Sequence, residues 1–417
     1  MKHLTAILLL CCSAAAEPFD FMLLTTRQDA AMDWWYAVPQ PFAPQATPVS
    51  SVNKGEYFRI IPIFKNYQTD LGRSAAITFD LKVTRPDGTV EPALAELEGH
   101  IGLAAPPDLL PAQAVINMCF EPDDPYGDYT IEVRAVDRVA QSTNTQHKII
   151  QLKKFEIQPL DKEERDRLFL TYPVAPNPAR ALSAFLQTDE QFLDEAFEPV
   201  WSAAWFFKTV IERNDYLFPL MIEQFAESKP KQQRDIILMA VLLGRAEQLP
   251  RLNAELKHFR RLIEGGRVPD PYAEITNARQ LDMLWAEFFA TGTVRPIKQI
   301  VRSLALVQHL GTLDKITAGE LDPDDPEVAR KGFREAVFQS ALWSLKSNAA
   351  QVPLVRHYCL GILATEELEK PVESCLAMLL QSLEAESPAK KEKDTSHERD
   401  HHHRQSPGPD RPLQPGG

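Results

Sequence analysis

Apolar and polar residues along this chain follow two different periods, and the change from one to the other divides it. From Phe19 to about Ile157 the repeat is two. Ile77, Phe79, Leu81 and Val83 alternate with Thr78, Asp80, Lys82 and Thr84, as a strand with one buried face requires. Pro86-Asp87-Gly88 follows as a turn, since proline presets one torsion and glycine accepts a positive φ. Tyr129, Ile131, Val133 and Ala135 form a second clean strand, with Thr130, Glu132 and Arg134 facing the other way. Ile150 and Leu152 pass out of register to Phe155 and Ile157, which predicts a bulge. Pro62 within Phe58 to Phe64 predicts an edge strand or another bulge. Short strands separated by turns, without helical periodicity, predict an all-β sandwich.

Asp124-Pro125-Tyr126-Gly127-Asp128-Tyr129-Thr130-Ile131-Glu132-Val133, followed by Val136-Asp137, resembles the penultimate strand of bacterial immunoglobulin-like domains. The likeness covers that segment directly and the rest of 17–158 only by strand pattern. In that family the tyrosine after the turn makes a corner, its hydroxyl bonding nearby backbone, and the resemblance gives this structural role to Tyr129. Ile131 stands where antibody-type domains carry a core cysteine, so no intersheet disulfide is implied. Such domains act as spacers, adhesive modules or docking modules, so the resemblance informs fold more than function.

Beyond residue 158 the regime changes. Asp161 to Arg167 is charged, and Tyr172 to Pro178 holds three prolines, so 159–177 reads as a linker. Thereafter the period is 3.6. Leu281, Leu284, Trp285, Phe288 and Phe289 fall at i, i+3, i+4, i+7 and i+8, and Ile297, Ile300, Val301 and Leu304 repeat the pattern without its last place. Asn177-Pro178 and Asp325-Pro326 each set a capping side chain before a first-turn proline, while Gly244, Gly265-Gly266, Gly292 and Gly311 follow periodic runs. About ten helices of ordinary length fit between 178 and 385. Short connections favour an antiparallel bundle or a repeat-like stack of helical hairpins. Helix pairs recur, but no tetratricopeptide consensus and no fixed period does.

The two ends belong to neither half. Lys2 and His3, the apolar run Leu4 to Cys12, and Ala14-Ala15-Ala16 before Glu17 have the layout of a secretory signal peptide. The run is too short for a membrane span, and Leu10 and Cys11 precede the two cysteines where a lipid-modification site wants a small residue. Residues 1–16 are therefore expected to leave on export, with the mature chain periplasmic or extracellular. The longest later apolar run, Ile236 to Leu243, falls well short of the ~20 residues of a spanning helix. No integral membrane segment is expected in the mature chain. From Glu386 the composition turns to Pro, Lys, Asp, Ser, His and Gly, which predicts a disordered tail over 386–417.

Charge and candidate chemistry exclude more than they propose. A net charge of −13 argues against nucleic acid or an anionic membrane as the main partner. Cys11 and Cys12 leave with the signal, and Cys119, Cys359 and Cys375 are too few to build a disulfide scaffold. Cys359 and Cys375 flank a turn at Thr365 to Lys370 at similar distances, so an antiparallel hairpin would bring them level. They read either as a disulfide contributing about 3 kcal/mol in an oxidising compartment, or as two buried thiols in a helix interface. His357, two residues from Cys359, points to another face. Trp34-Trp35-Tyr36 reads as a sugar platform or, more simply, as core and domain contact, and Trp201, Trp205 and Phe197 share one helix face and read as core.

The acidic stretches Glu121 to Asp124 and Asp322 to Glu327 lack calcium-loop spacing and read as turn and cap. His397, His401, His402 and His403 sit in a segment too loose to fix a coordination geometry. The chain has no G-x-S-x-G elbow, H-E-x-x-H, P-loop or dinucleotide fingerprint. No catalytic residue, cofactor or metal ligand is assigned. The sequence thus predicts an exported, non-enzymatic binding or scaffold protein of the cell envelope, partnered by a protein or envelope component. The alternative is a carbohydrate-active enzyme with an accessory β-sandwich module. Residues 178–385 are few for a closed ring of twelve helices, which would take roughly 300.

Overall fold

Strict alternation decides the N-terminal half. In β4 (Ser74–Thr84) every second residue from Ala75 to Val83 is buried, and β8 (Gly127–Asp137) repeats the pattern from Tyr129 to Asp137. The structure, a computed structural model, describes residues 17–28, 46–104, 109–188 and 200–386. The other strands are β1 (Asp20–Thr26), β2 (Ser51–Asn53), β3 (Phe58–Lys65), β5 (Leu94–Leu103), β6 (Leu110–Pro111), β7 (Ile116–Met118) and β9 (Ser142–Lys153). One sheet has the order β2-β9-β8-β4-β5 and is parallel only at β2–β9; the other is β1-β3-β6, with β7 also on β3. Phe21, Phe58, Ile60 and Phe64 of the second sheet share one core with Ile77, Phe79, Tyr129 and Ile131 of the first.

Two local expectations change. Pro62 does not mark an edge: β3 is central, with β1 on one side and β7 and β6 on the other. The proline falls where the ladder steps from Ile60–Ile116 to Ile63–Pro111. Its missing N–H thus meets a gap between two short strands, while its carbonyl accepts the Ala112 N–H at 2.8 Å. The register change after Leu152 is an exit from the sheet and not a bulge. β9 ends at Lys153, and Phe155 packs on the helical core. Register shifts do occur, but between β4 and β5.

The remaining described residues form twelve α-helices: α1 (Lys162–Thr171), α2 (Pro178–Gln187), α3 (Trp201–Arg213), α4 (Leu217–Glu223), α5 (Pro230–Leu242), α6 (Ala254–Gly265), α7 (Ala278–Thr291), α8 (Val294–Arg302), α9 (Thr312–Thr317), α10 (Pro326–Gln351), α11 (Pro353–Thr365) and α12 (Lys370–Glu386). Asn177 and Asp325 cap α2 and α10 as expected, each accepting a first-turn N–H ahead of its proline. The segment 159–177, expected as a linker, carries α1. Asp161 and Glu164 close a capping box over its first turn, at 2.8 and 3.1 Å. Leu160, Leu168 and Tyr172 then bury it in the helical core.

α7 organises the helices because it is apolar on two sides. Leu281, Leu284, Trp285 and Phe288 enter one core with α8, α10, α11 and α12. Ala286 and Ala290 enter the other, formed by α1 to α6. The loop before α7 is pinned as well: the Tyr272 hydroxyl donates to Glu287 at 2.6 Å, and the Arg295 guanidinium lies 3.9 Å over the Tyr272 ring.

The sheets and helices meet across a buried charge. Glu56 is wholly inaccessible; its carboxylate accepts from the Arg27 Nε–H, and from the Asn53 backbone and side-chain N–H groups at 2.7 and 2.9 Å. Tyr216, between α3 and α4, covers this pair from the helical side. Its burial and the Glu56 charge beside it push the phenol well above its ordinary range. Gly55 has φ +76°, and a Cβ there would lie 2.7 Å from the Tyr216 Cβ, so only glycine fits on both counts. Nearby, Gln28 Nε2 and Thr47 Oγ1 both donate to the Val174 carbonyl.

Removing one partner of a buried ion pair leaves the other uncompensated, at about 3–5 kcal/mol. Glu56→Ala should lower the urea midpoint accordingly. Tyr216→Ala, in the helical half, should lower the midpoint followed by a β-sheet signal; an unchanged sheet transition would show that the contact carries no stability.

Glu335 of α10 is also buried. Burial alone would raise its pKa, but the backbone N–H groups of Leu313 (2.8 Å), Gly311 (3.0 Å) and Thr312 hold it below the usual glutamate range. A depressed carboxyl stabilises above its unfolded pKa and loses that contribution as pH falls through the folded value. The stability difference between wild type and Glu335→Gln should therefore be full at neutral pH and shrink below about pH 4.5, as followed by denaturation at stepped pH.

Candidate functional site

α10 has two kinds of face. Val337, Phe338, Ala341 and Leu345 are buried, whereas Trp343 projects from the opposite side and is 73% exposed. On α7, Ala278, Leu281, Asp282 and Trp285 fall at i, i+3, i+4 and i+7, one helix face. That face meets Gln339, Ser340, Trp343 and Ser344 of α10 across an open cleft of about 360 Å³, within the range of small-ligand pockets. The small side chains Ala278, Ser340 and Ser344 leave the space, and the two indoles bound it.

The polar groups of the cleft offer both acceptors and donors. Asp282 keeps solvent contact, yet desolvation by the surrounding protein raises its carboxyl above the ordinary range. One N–H of the Gln339 amide donates to Glu335 at 3.1 Å, which leaves its oxygen as an acceptor and its second N–H as a donor. The Ser344 hydroxyl donates to the Ala341 carbonyl at 3.1 Å, which leaves its lone pairs. Trp285 is held by Phe288 and Phe289 at 6.0 and 6.2 Å between ring centroids. Its indole N–H is buried without a hydrogen-bond partner among the described residues. Among the described residues, no lysine or arginine lines the cleft.

A second groove of about 450 Å³ lies on the other side of α10, walled by Val307, Leu310, Phe338, Leu342, Met378 and Leu379. Cys375 reaches it. The hairpin of α11 and α12 forms, and Cys359 and Cys375 enter one core cluster, where both are free thiols. Burial pushes the Cys359 thiol up to about 12 and raises that of Cys375, the reverse of an activated nucleophile. Burial also lowers the pKa of His357.

Several of the other residues singled out in the sequence make local contacts that shape turns, caps and core. The Tyr129 hydroxyl donates to the Pro125 carbonyl at 2.9 Å, and its ring, fully buried, stands 4.3 Å from that of Phe120. Desolvation, with the Asp124 charge nearby, pushes the phenol up to about 12. Asp124 accepts the Glu121 N–H at 2.8 Å and faces Arg85 at 3.4 Å, so its carboxylate serves a turn. Asp322 and Asp325 accept N–H groups of Asp324 and Glu327, and Glu327 pairs with Arg330. Trp201 is buried, with Trp205 at 6.4 Å. Phe197, Trp34-Trp35-Tyr36, residues 1–16 and His397, His401, His402 and His403 lie outside the described residues. Among those described, no group of three or more His, Cys, Asp or Glu is gathered to hold a metal. None of their helices is long and apolar enough to cross a membrane.

Sequence reading did not find the cleft. Its one signal was Trp343, a large aromatic out of step with the Val337, Ala341 and Leu345 face of the longest helix.

No family model matches the chain, and no curated protein does. Among solved structures, a family 123 glycoside hydrolase from Clostridium perfringens aligns at 9% identity and TM-score 0.20, over 38% of this chain and 33% of that one. An AA10 lytic polysaccharide monooxygenase from Streptomyces lividans aligns at 18% identity and TM-score 0.14, over 27% and 64%. A family 76 glycoside hydrolase from a bovine Bacteroides thetaiotaomicron strain aligns at 8% and 0.17, over 80% and 85%. The chain thus spans about a third of the first and under two thirds of the second, and likeness this slight assigns the chain to no family.

Proposed function

We propose that this chain is an exported, non-enzymatic binding protein of the cell envelope, whose ligand enters the cleft between α7 and α10. In this reading an immunoglobulin-like β-sandwich supports an antiparallel helical bundle. The Tyr129 corner and the two sheets closing on one core support the sandwich; the leader-like run before Glu17 supports export. The observation that carries the binding role is Trp343, an indole 73% exposed at the rim of an open, partly polar cleft. Exposed aromatics beside concave sites are the usual anchors of recognition. The alternative is a carbohydrate-active enzyme with an accessory β-sandwich module; a glycosidase of that kind needs two carboxylates about 5 to 9.5 Å apart across the substrate, and among the described residues Asp282 is the one carboxylate lining the cleft.

Two experiments test this. Residues 17–417 immobilised against envelope extracts should retain a component that is lost when Trp343→Ala and Ser340→Arg are combined. Equal retention by the variant would remove the cleft from the binding role, and no retention by either would remove the role itself. Expression of the full chain in a bacterium should give a periplasmic or secreted product beginning at Glu17 by N-terminal sequencing. A cytoplasmic product still carrying Met1 would end the export reading.

A further inference from the structure

We infer that the ligand of the α7–α10 cleft is a neutral sugar unit, stacked on Trp343 and held through its hydroxyls by Asp282. The inference rests on the proposal that this cleft binds a ligand and names the chemistry it selects.

Three observations narrow the ligand. The first is the balance of hydrogen bonding. Asp282, the Gln339 oxygen and the Ser344 lone pairs accept, while the second N–H of Gln339 and the Ser340 hydroxyl can donate, one Gln339 N–H and the Ser344 hydroxyl being engaged with Glu335 and Ala341. A ligand that satisfies such a lining must both donate and accept, several times in a small volume, as the hydroxyls of a polyhydroxylated ring do. The second is charge. With Asp282 in the lining, no cation among the described lining residues and a chain at −13, phosphates, sulfates and acidic sugars are disfavoured. The third is the aromatic surface. A pyranose has one flat face of C–H groups, and a single broad indole, exposed on a rigid helix, matches it. Quaternary ammonium groups also sit on indoles, but they are held in cages of several aromatic faces, and here Trp285 is buried while Trp343 alone stands free. A cleft of about 360 Å³ lies at the small end of ligand pockets, which suits a terminal sugar unit better than a peptide or nucleotide.

The test uses tryptophan fluorescence and saturation-transfer NMR on residues 17–417, with tetrasaccharides of glucose, xylose, mannose, galactose and N-acetylglucosamine. Choline and glucuronate serve as comparison probes. At least one neutral tetrasaccharide should bind saturably in the millimolar range. Trp343→Ala should weaken it at least about tenfold, and Asp282→Asn, which keeps one acceptor oxygen, by a few-fold. Both positions keep solvent contact, and an unchanged circular dichroism spectrum verifies folding. Silence across all five sugars, or equal binding by Trp343→Ala, overturns the inference. If choline binds in their place and Trp343→Ala abolishes it, the sugar class fails while the cleft stands as a binding site. Loss of the cleft's effect in envelope retention would instead remove the site itself.

Discussion

A carboxylate with no access to water sets the terms for this molecule. Glu56 must find donors inside the protein, because an unpaired buried charge costs several kcal/mol. It finds them in Arg27, just after β1, and in Asn53, the last residue of β2. The helical half does not supply those donors, but Tyr216 seals the site from water and so strengthens each of them. The contact also requires the backbone of Gly55 to come within touching distance of Tyr216. Around it, α1 lies against the other helices, Phe155 follows it into their core, and Val174 accepts from both Gln28 and Thr47. Sheet and helix halves thus share a partly polar boundary, to which the loop carrying Val174 belongs.

Much of the fold was legible because local rules agreed with the tertiary outcome. The alternation in β4 and β8, the stripe on α7 and the two capped prolines at Asn177 and Asp325 all follow from burying one face or satisfying a helix end. What escaped depended on partners distant in sequence. Pro62 was misjudged because a proline in a central strand is tolerable only if its neighbour is broken at that point, and the break between β6 and β7 is invisible in the sequence of β3. The charged run after Asp161 looked like a linker because its helix buries few residues. Glu56 could not be recognised, since its partners Arg27 and Tyr216 become neighbours only in the assembled protein.

The candidate site was hidden for the same reason. Asp282 sits on an unremarkable stretch of α7, and its carboxyl is raised by desolvation in the folded protein. Trp343 taken alone is an aromatic in a helix. Only the crossing of the two helices converts the pair into a cleft with an acceptor on one wall and an exposed ring at its rim. The same principle gives Cys359 and Cys375 their character: shared apolar surroundings, not sequence spacing, hold both thiols in the protonated form.

The double burial of α7 has a further consequence. A helix that contributes to two cores cannot open locally without disturbing both, so its amides should be released only in the largest unfolding events of the helical half. One wall of the cleft is therefore among the least mobile parts of the chain. A ligand docking against it has little protein to order, and the entropy usually spent on ordering a binding surface is already met by the packing that folds the helices.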